Sequence, residues 1–149
     1  MIAGLASRLL LESDPRVLWK FGLNFGLKGM LAARRFKQRA SRGDVFPAFL
    51  FLSVTDRCNL HCQGCWVSGC QPPRELEMAT LEGIIDDARA RGTTTFGVLG
   101  GEPLLRPEIF ELFERYPDCY FILFTNGILI DDQVAERMRS VANVSPLIS

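Results

Sequence analysis

The sequence predicts an α/β fold built on a parallel sheet. Three observations predict it. Apolar runs recur at residues 48–55, 94–99 and 119–125. Each is followed by a turn rich in Gly, Asn or Pro, and then by a stretch with helical spacing of apolar residues. A further apolar start at Val144 completes a βαβαβαβ order. That order calls for right-handed crossovers, with the helices packed on the outside of the sheet.

The first strand is expected over Ala48–Thr55, a nearly continuous apolar run of the kind buried on both faces. Thr80 is the expected N-cap of a helix over Leu81–Ala90, with Ile84, Ile85 and Ala88 as its core stripe and Gly92 as its stop. Thr94–Leu99 reads as the second strand, and it runs into Gly100-Gly101-Glu102-Pro103. Pro107 opens the next helix, which carries Ile109, Phe110, Phe113 and Tyr116. Cys119–Thr125 is the third strand, closed by Asn126-Gly127. Asp131 or Asp132 caps a helix carrying Val134, Met138 and Val141, and Val144–Ser149 begins a fourth strand.

Residues 1–46 read as a basic helical extension and 47–149 as the α/β core. Residues 1–43 hold nine Lys/Arg and two Asp/Glu, a net of about +7, and residues 44–149 carry the compensating −7. Ser13-Asp14-Pro15 is a good helix start, although Gly22, Gly26 and Gly29 weaken the helix beyond it. The stretch 15–42 suits packing across the core, or a peripheral contact with a membrane or protein; spanning does not suit it. Formal net charge is zero, which gives no sign of nucleic-acid binding. No apolar run of about 18 residues is present, and Met1–Leu5 lacks the basic start of a signal peptide. An odd count of five cysteines, three of them within eight residues, argues for metal ligation in a reducing compartment such as the cytoplasm.

Those three are Cys58, Cys62 and Cys65, in Thr55-Asp56-Arg57-Cys58-Asn59-Leu60-His61-Cys62-Gln63-Gly64-Cys65. Thiolates favour zinc or iron–sulfur centres. Structural zinc and electron-transfer clusters take four protein ligands, and here Cys70 is a candidate fourth, with His61 behind it. With three ligands only, one position stays open to substrate or cofactor. In parallel α/β folds ligands gather at the carboxyl ends of strands. The cysteine loop, the Gly-Gly-Glu-Pro turn and the Thr125-Asn126-Gly127 turn all fall at such ends.

These three motifs in this order resemble those of the radical S-adenosylmethionine enzymes, over about residues 47–149. The resemblance implies an incomplete (βα) barrel of TIM-like type, with about three and a half βα units. It implies a [4Fe–4S] cluster on Cys58, Cys62 and Cys65, with S-adenosylmethionine on the fourth iron. Reductive cleavage would yield a 5′-deoxyadenosyl radical that abstracts hydrogen from a substrate. Gly100, Gly101, Glu102 and Pro103 would bind the methionine ammonium, with Asn126 lining the same pocket. A reductant such as flavodoxin or ferredoxin is expected from the family. Two departures stand out. Gly64 occupies the place where the family often carries an aromatic residue, and the later strands and the glycine-rich adenine segment are absent. The chain therefore reads as a truncated sequence or one part of a longer or split protein, and no motif names its substrate. The alternative is a non-catalytic metal-binding module, zinc or iron–sulfur, with Cys70 as fourth ligand.

Overall fold

The computed structural model describes residues 13–67, 69–70 and 72–149. Residues 1–12, and with them the Met1–Leu5 start, lie outside the described residues. Four strands, β1 (Leu50–Thr55), β2 (Thr95–Gly100), β3 (Tyr120–Thr125) and β4 (Val144–Ile148), form one sheet. They pair in the order β1-β2-β3-β4, all parallel. The helices between them are α3 (Met78–Ala90), α4 (Ile109–Arg115) and α5 (Asp132–Val141). Two more, α1 (Pro15–Lys20) and α2 (Gly29–Ala40), belong to the extension and are joined through a π-helical stretch, Phe21–Lys28.

The main core lies between the sheet and α3–α5. Leu52, Val54, Phe96, Val98, Phe121 and Leu123 meet Leu81, Ile85, Leu112 and Phe113 there. Each fully buried side chain of this size contributes about 1.5–3 kcal/mol. On the opposite face Phe51 is 59% exposed and Leu147 is 44% exposed. The expectation that β1 is covered on both faces is therefore corrected. Its alternate residues reach the helices, while Phe51 faces Phe124 across Gly97 and stays exposed.

The N-cap expected at Thr80 is also corrected. α3 runs back to Met78, and the amides of Thr80 and Leu81 both bond to Glu77 O, which places Thr80 inside the first turn. The side chain of Met78 packs on the core, in keeping with a helix start three residues earlier. Asp131 caps α5 through the Val134 amide at 2.8 Å, as the sequence indicates. Asp14 caps α1 through the Arg16 amide at 2.8 Å.

The glycines of the extension do not end its helix. The backbone widens through Phe21–Lys28 and resumes α geometry at Gly29. This turns Phe21, Asn24, Phe25 and Lys28 toward the amino-terminal ends of β2 and β3. Phe21 and Phe25 pack on the Tyr120 ring at 5.6 and 5.5 Å. The buried Asn24 donates to Pro117 O and Cys119 O, and Lys28 to Asp118 O at 2.9 Å. The extension thus closes the end of the sheet opposite the cysteine loop. Among the described residues no helix is long and apolar enough to cross a membrane.

Candidate metal and cofactor site

The cysteine loop leaves β1 at Thr55 and returns beside it at Glu75. Its base is closed by backbone bonds, Asp56 N–H to Arg74 O at 2.8 Å and Leu76 N–H to Val54 O at 3.2 Å. Thr55 Oγ1 donates to Glu75 Oε1, and Arg57 and Arg74 pair with Glu75 and Asp56. Arg106, only 5% exposed, donates to both Val54 O and Leu76 O. A loop of about twenty residues is therefore pinned at its neck.

Within the loop, Cys58, Cys62, Cys65 and Cys70 all line one cleft of about 370 Å³, together with His61, Asp56 and Leu105. That volume lies within the range of small-ligand sites. All five cysteines of the chain are thiols, and Cys119 is buried away from the loop. Burial pushes the Cys119 thiol up to about 12, as expected of a small core residue. Gly64 sits at φ +77° in the turn closed by the Cys65 amide on Cys62 O at 3.2 Å. An aromatic side chain there would be strained, which accounts for the departure at this position. Trp66 is 61% exposed and borders a neighbouring cleft with Arg74 and Glu75.

Thiolates suit both zinc and iron–sulfur centres. One zinc ion draws its ligand atoms to within about 2.0–2.3 Å of a single point. Among the described residues no three His, Cys, Asp or Glu side chains are placed to hold such an ion. The cysteines of the loop nonetheless face one common cleft.

The Gly-Gly-Glu-Pro turn abuts the loop through its backbone. Gly101 N–H bonds to Thr55 O and Glu102 N–H to Arg57 O, both at 2.7 Å. A Cβ on Gly100 would stand 2.2 Å from Thr55 O, and one on Gly101 2.1 Å from Arg57 O. Both glycines are needed for this approach of main chain to main chain, whatever else they approach. The Glu102 carboxylate is turned inward. It is 0% exposed and accepts from the Leu104 amide, Thr125 Oγ1 and the Asn126 amide at 2.9–3.0 Å. Pro103 is buried beside it. Asn126 reaches from the third turn to Asn59 in the cysteine loop, Nδ2 to Oδ1 at 2.8 Å. Gly100, Gly101 and Asn126 therefore adjoin the cysteine cleft through Thr55, Arg57 and Asn59 without lining it. Sequence reasoning passes over Asn59 and Arg106, whose polar side chains carry no spacing signal of their own, and names Thr125 only as part of the third turn.

A family model described as the Radical SAM superfamily matches residues 52–149, from β1 through β4. The chain belongs to the radical SAM superfamily. Superfamily members use a [4Fe–4S] cluster and S-adenosylmethionine. Among curated relatives, the chain is 34% identical over 93 residues to Fe-coproporphyrin III synthase of Methanosarcina barkeri. That match covers 60% of this chain and 23% of the relative. It is 32% identical over 119 residues to mycofactocin maturase MftC of Mycobacterium tuberculosis, covering 77% of this chain and 30% of the relative. Streptococcus suis SuiB, solved bound to S-adenosylmethionine, shares the fold with a TM-score of 0.62 at 22% identity, over 78% of this chain and 28% of SuiB. The chain spans about a quarter to a third of the length of the curated relatives it matches.

Proposed function

We propose that Cys58, Cys62 and Cys65 hold a [4Fe–4S] cluster whose fourth iron takes S-adenosylmethionine, and that the protein starts radical chemistry on a substrate. The observation that carries this reading is the convergence of the three thiols on one cleft at the carboxyl end of β1, bonded backbone to backbone to the glycine turn. When bound, the two cofactors supply reductive cleavage of the C5′–S bond and hydrogen abstraction from a substrate. The chain's own part is to bind and orient. The peptide oxygens of Gly100 and Gly101 accept from the methionine ammonium. Glu102, Pro103 and Asn126 serve cofactor binding by holding that turn in place beside the cysteine loop. Residues 1–46 form the basic extension, whose described part closes the amino-terminal end of the sheet, and 47–149 act as the cofactor-binding core. Reduction falls to a small electron-transfer protein of the flavodoxin or ferredoxin kind. The thiol set suits the reducing cytoplasm.

Anaerobic reconstitution followed by iron analysis tests the assignment. Four irons per chain are expected, lost in each of Cys58→Ala, Cys62→Ala and Cys65→Ala and kept in Cys70→Ala. A cluster destroyed by Cys70→Ala, or one that survives loss of any of the other three, contradicts it.

A further inference from the structure

The three strand-end turns are joined by a chain of hydrogen bonds that runs from Glu102 to Asn59, the residue that follows Cys58. Its anchor is Glu102, whose Oε1 accepts from Thr125 Oγ1 at 2.9 Å and whose Oε2 accepts from the Asn126 amide at 2.9 Å. A buried carboxylate satisfied in this way is costly to move, because any displacement leaves charge without donors. The Asn126 side chain is fixed at both ends. Its Oδ1 accepts from the Ile128 amide at 3.0 Å, and its Nδ2 donates to Asn59 Oδ1 at 2.8 Å. Asn59 directly precedes Leu60, whose amide points at Cys58 Sγ at 3.4 Å. The link between Asn126 and Asn59 bridges 67 positions in sequence and two turns in space.

We propose that Asn126, seated by Glu102, is a positioning residue for Cys58: it holds Asn59 so that the Leu60 amide donates to the Cys58 sulfur. The chemistry gives this a consequence. An N–H donated to a ligating thiolate stabilises negative charge, and negative charge on a cluster grows on reduction. The bond therefore raises the reduction potential, and its loss lowers it. The potential part rests on the cluster assignment above; the geometric part does not.

The test uses Asn126→Ala, Asn59→Ala and the double variant, each reconstituted anaerobically. Asn126→Ala also removes the acceptor for the Ile128 amide, and Asn59→Ala also removes an acceptor for Cys58 Sγ at 3.9 Å, so the effect common to both reports the bond they share. Each single variant is expected to shift the midpoint potential to a more negative value and to speed iron loss to a chelator several-fold. The double variant should do no more than either single, because one interaction is removed once. In the metal-free chain, both variants should raise amide hydrogen exchange at Leu60 several-fold. Unchanged potentials with unchanged Leu60 exchange, or single-variant shifts that simply add in the double, overturn the proposal. If the unaltered chain takes up no cluster, the cofactor assignment fails, and Leu60 exchange alone decides this inference.

Discussion

Replacing Gly101 with alanine drives a methyl group into the neck of the cysteine loop. The new Cβ would lie 2.1 Å from Arg57 O, 2.5 Å from Arg57 C and 3.1 Å from Asp56 C. All three are main-chain atoms, so no side chain can swing away to relieve the clash. The turn and the loop must separate, and the two 2.7 Å bonds from Gly101 and Glu102 are stretched or broken. Two backbone bonds at about 0.5–1.5 kcal/mol each, with overpacking of about 1–3 kcal/mol, give a loss of about 2–6 kcal/mol. Against a typical total stability of about 5–15 kcal/mol this is a large share. Gly83 supplies the control. It lies exposed in α3, and a Cβ there meets nothing within 4 Å. Gly83→Ala should stabilise by about 0.5–1 kcal/mol through helix propensity alone. Urea unfolding of the metal-free chain, followed by circular dichroism, measures both. A loss below about 1 kcal/mol in Gly101→Ala would refute the reasoning, since even one broken bond costs that much.

Ala142 ends α5 in the left-handed region, at φ +59°, with its amide on Met138 O. Ala142→Gly removes that strain and should raise stability by about 0.5–1 kcal/mol, read in the same titration. Alkaline pH should destabilise the chain through Cys119, whose thiol is raised from 9.0 to about 12 by burial, with Asp118 adding to the rise and Arg89 and Lys28 opposing it. The unfolded chain releases that proton near pH 9 and the folded chain only near 12. The contribution is therefore full below pH 9 and lost as pH rises from 9 toward 12. Cys119→Ala should flatten this part of the pH–stability curve, and an unchanged slope would count against it.

Much of the fold is legible in the sequence because its signals are local. Apolar runs bounded by Gly and Pro mark strands wherever they pair, and Asp131 caps α5 with a side chain three residues from its donor. The points where structure departs from expectation depend on what lies across space. Phe51 and Leu52 look alike in a run of apolar residues; only the placement of α3 and α4 on one face distinguishes them. Glu102 reads as a ligand group because a carboxylate beside two glycines suggests recognition. Its donors, Thr125 and Asn126, lie 23 and 24 residues later and are not legible beside it. The glycines themselves suggest room for a ligand, and the nearest atoms prove to be the main chain of Thr55 and Arg57. The π-helical stretch is not legible either, since the groups it meets, Tyr120, Pro117 and Cys119, lie far along the sequence.

Those contacts also bear on how the chain assembles as it is made. Asn24 waits for Cys119, 95 residues later, before its buried hydrogen bonds can form. At a synthesis rate of about 5–20 residues per second the interval is about 5–20 s, far longer than helix formation needs. Through that interval Phe21 and Phe25 have no Tyr120 to pack against. The extension is made before the strands it closes and docks only after them, so during translation its aromatic face is open to chaperones.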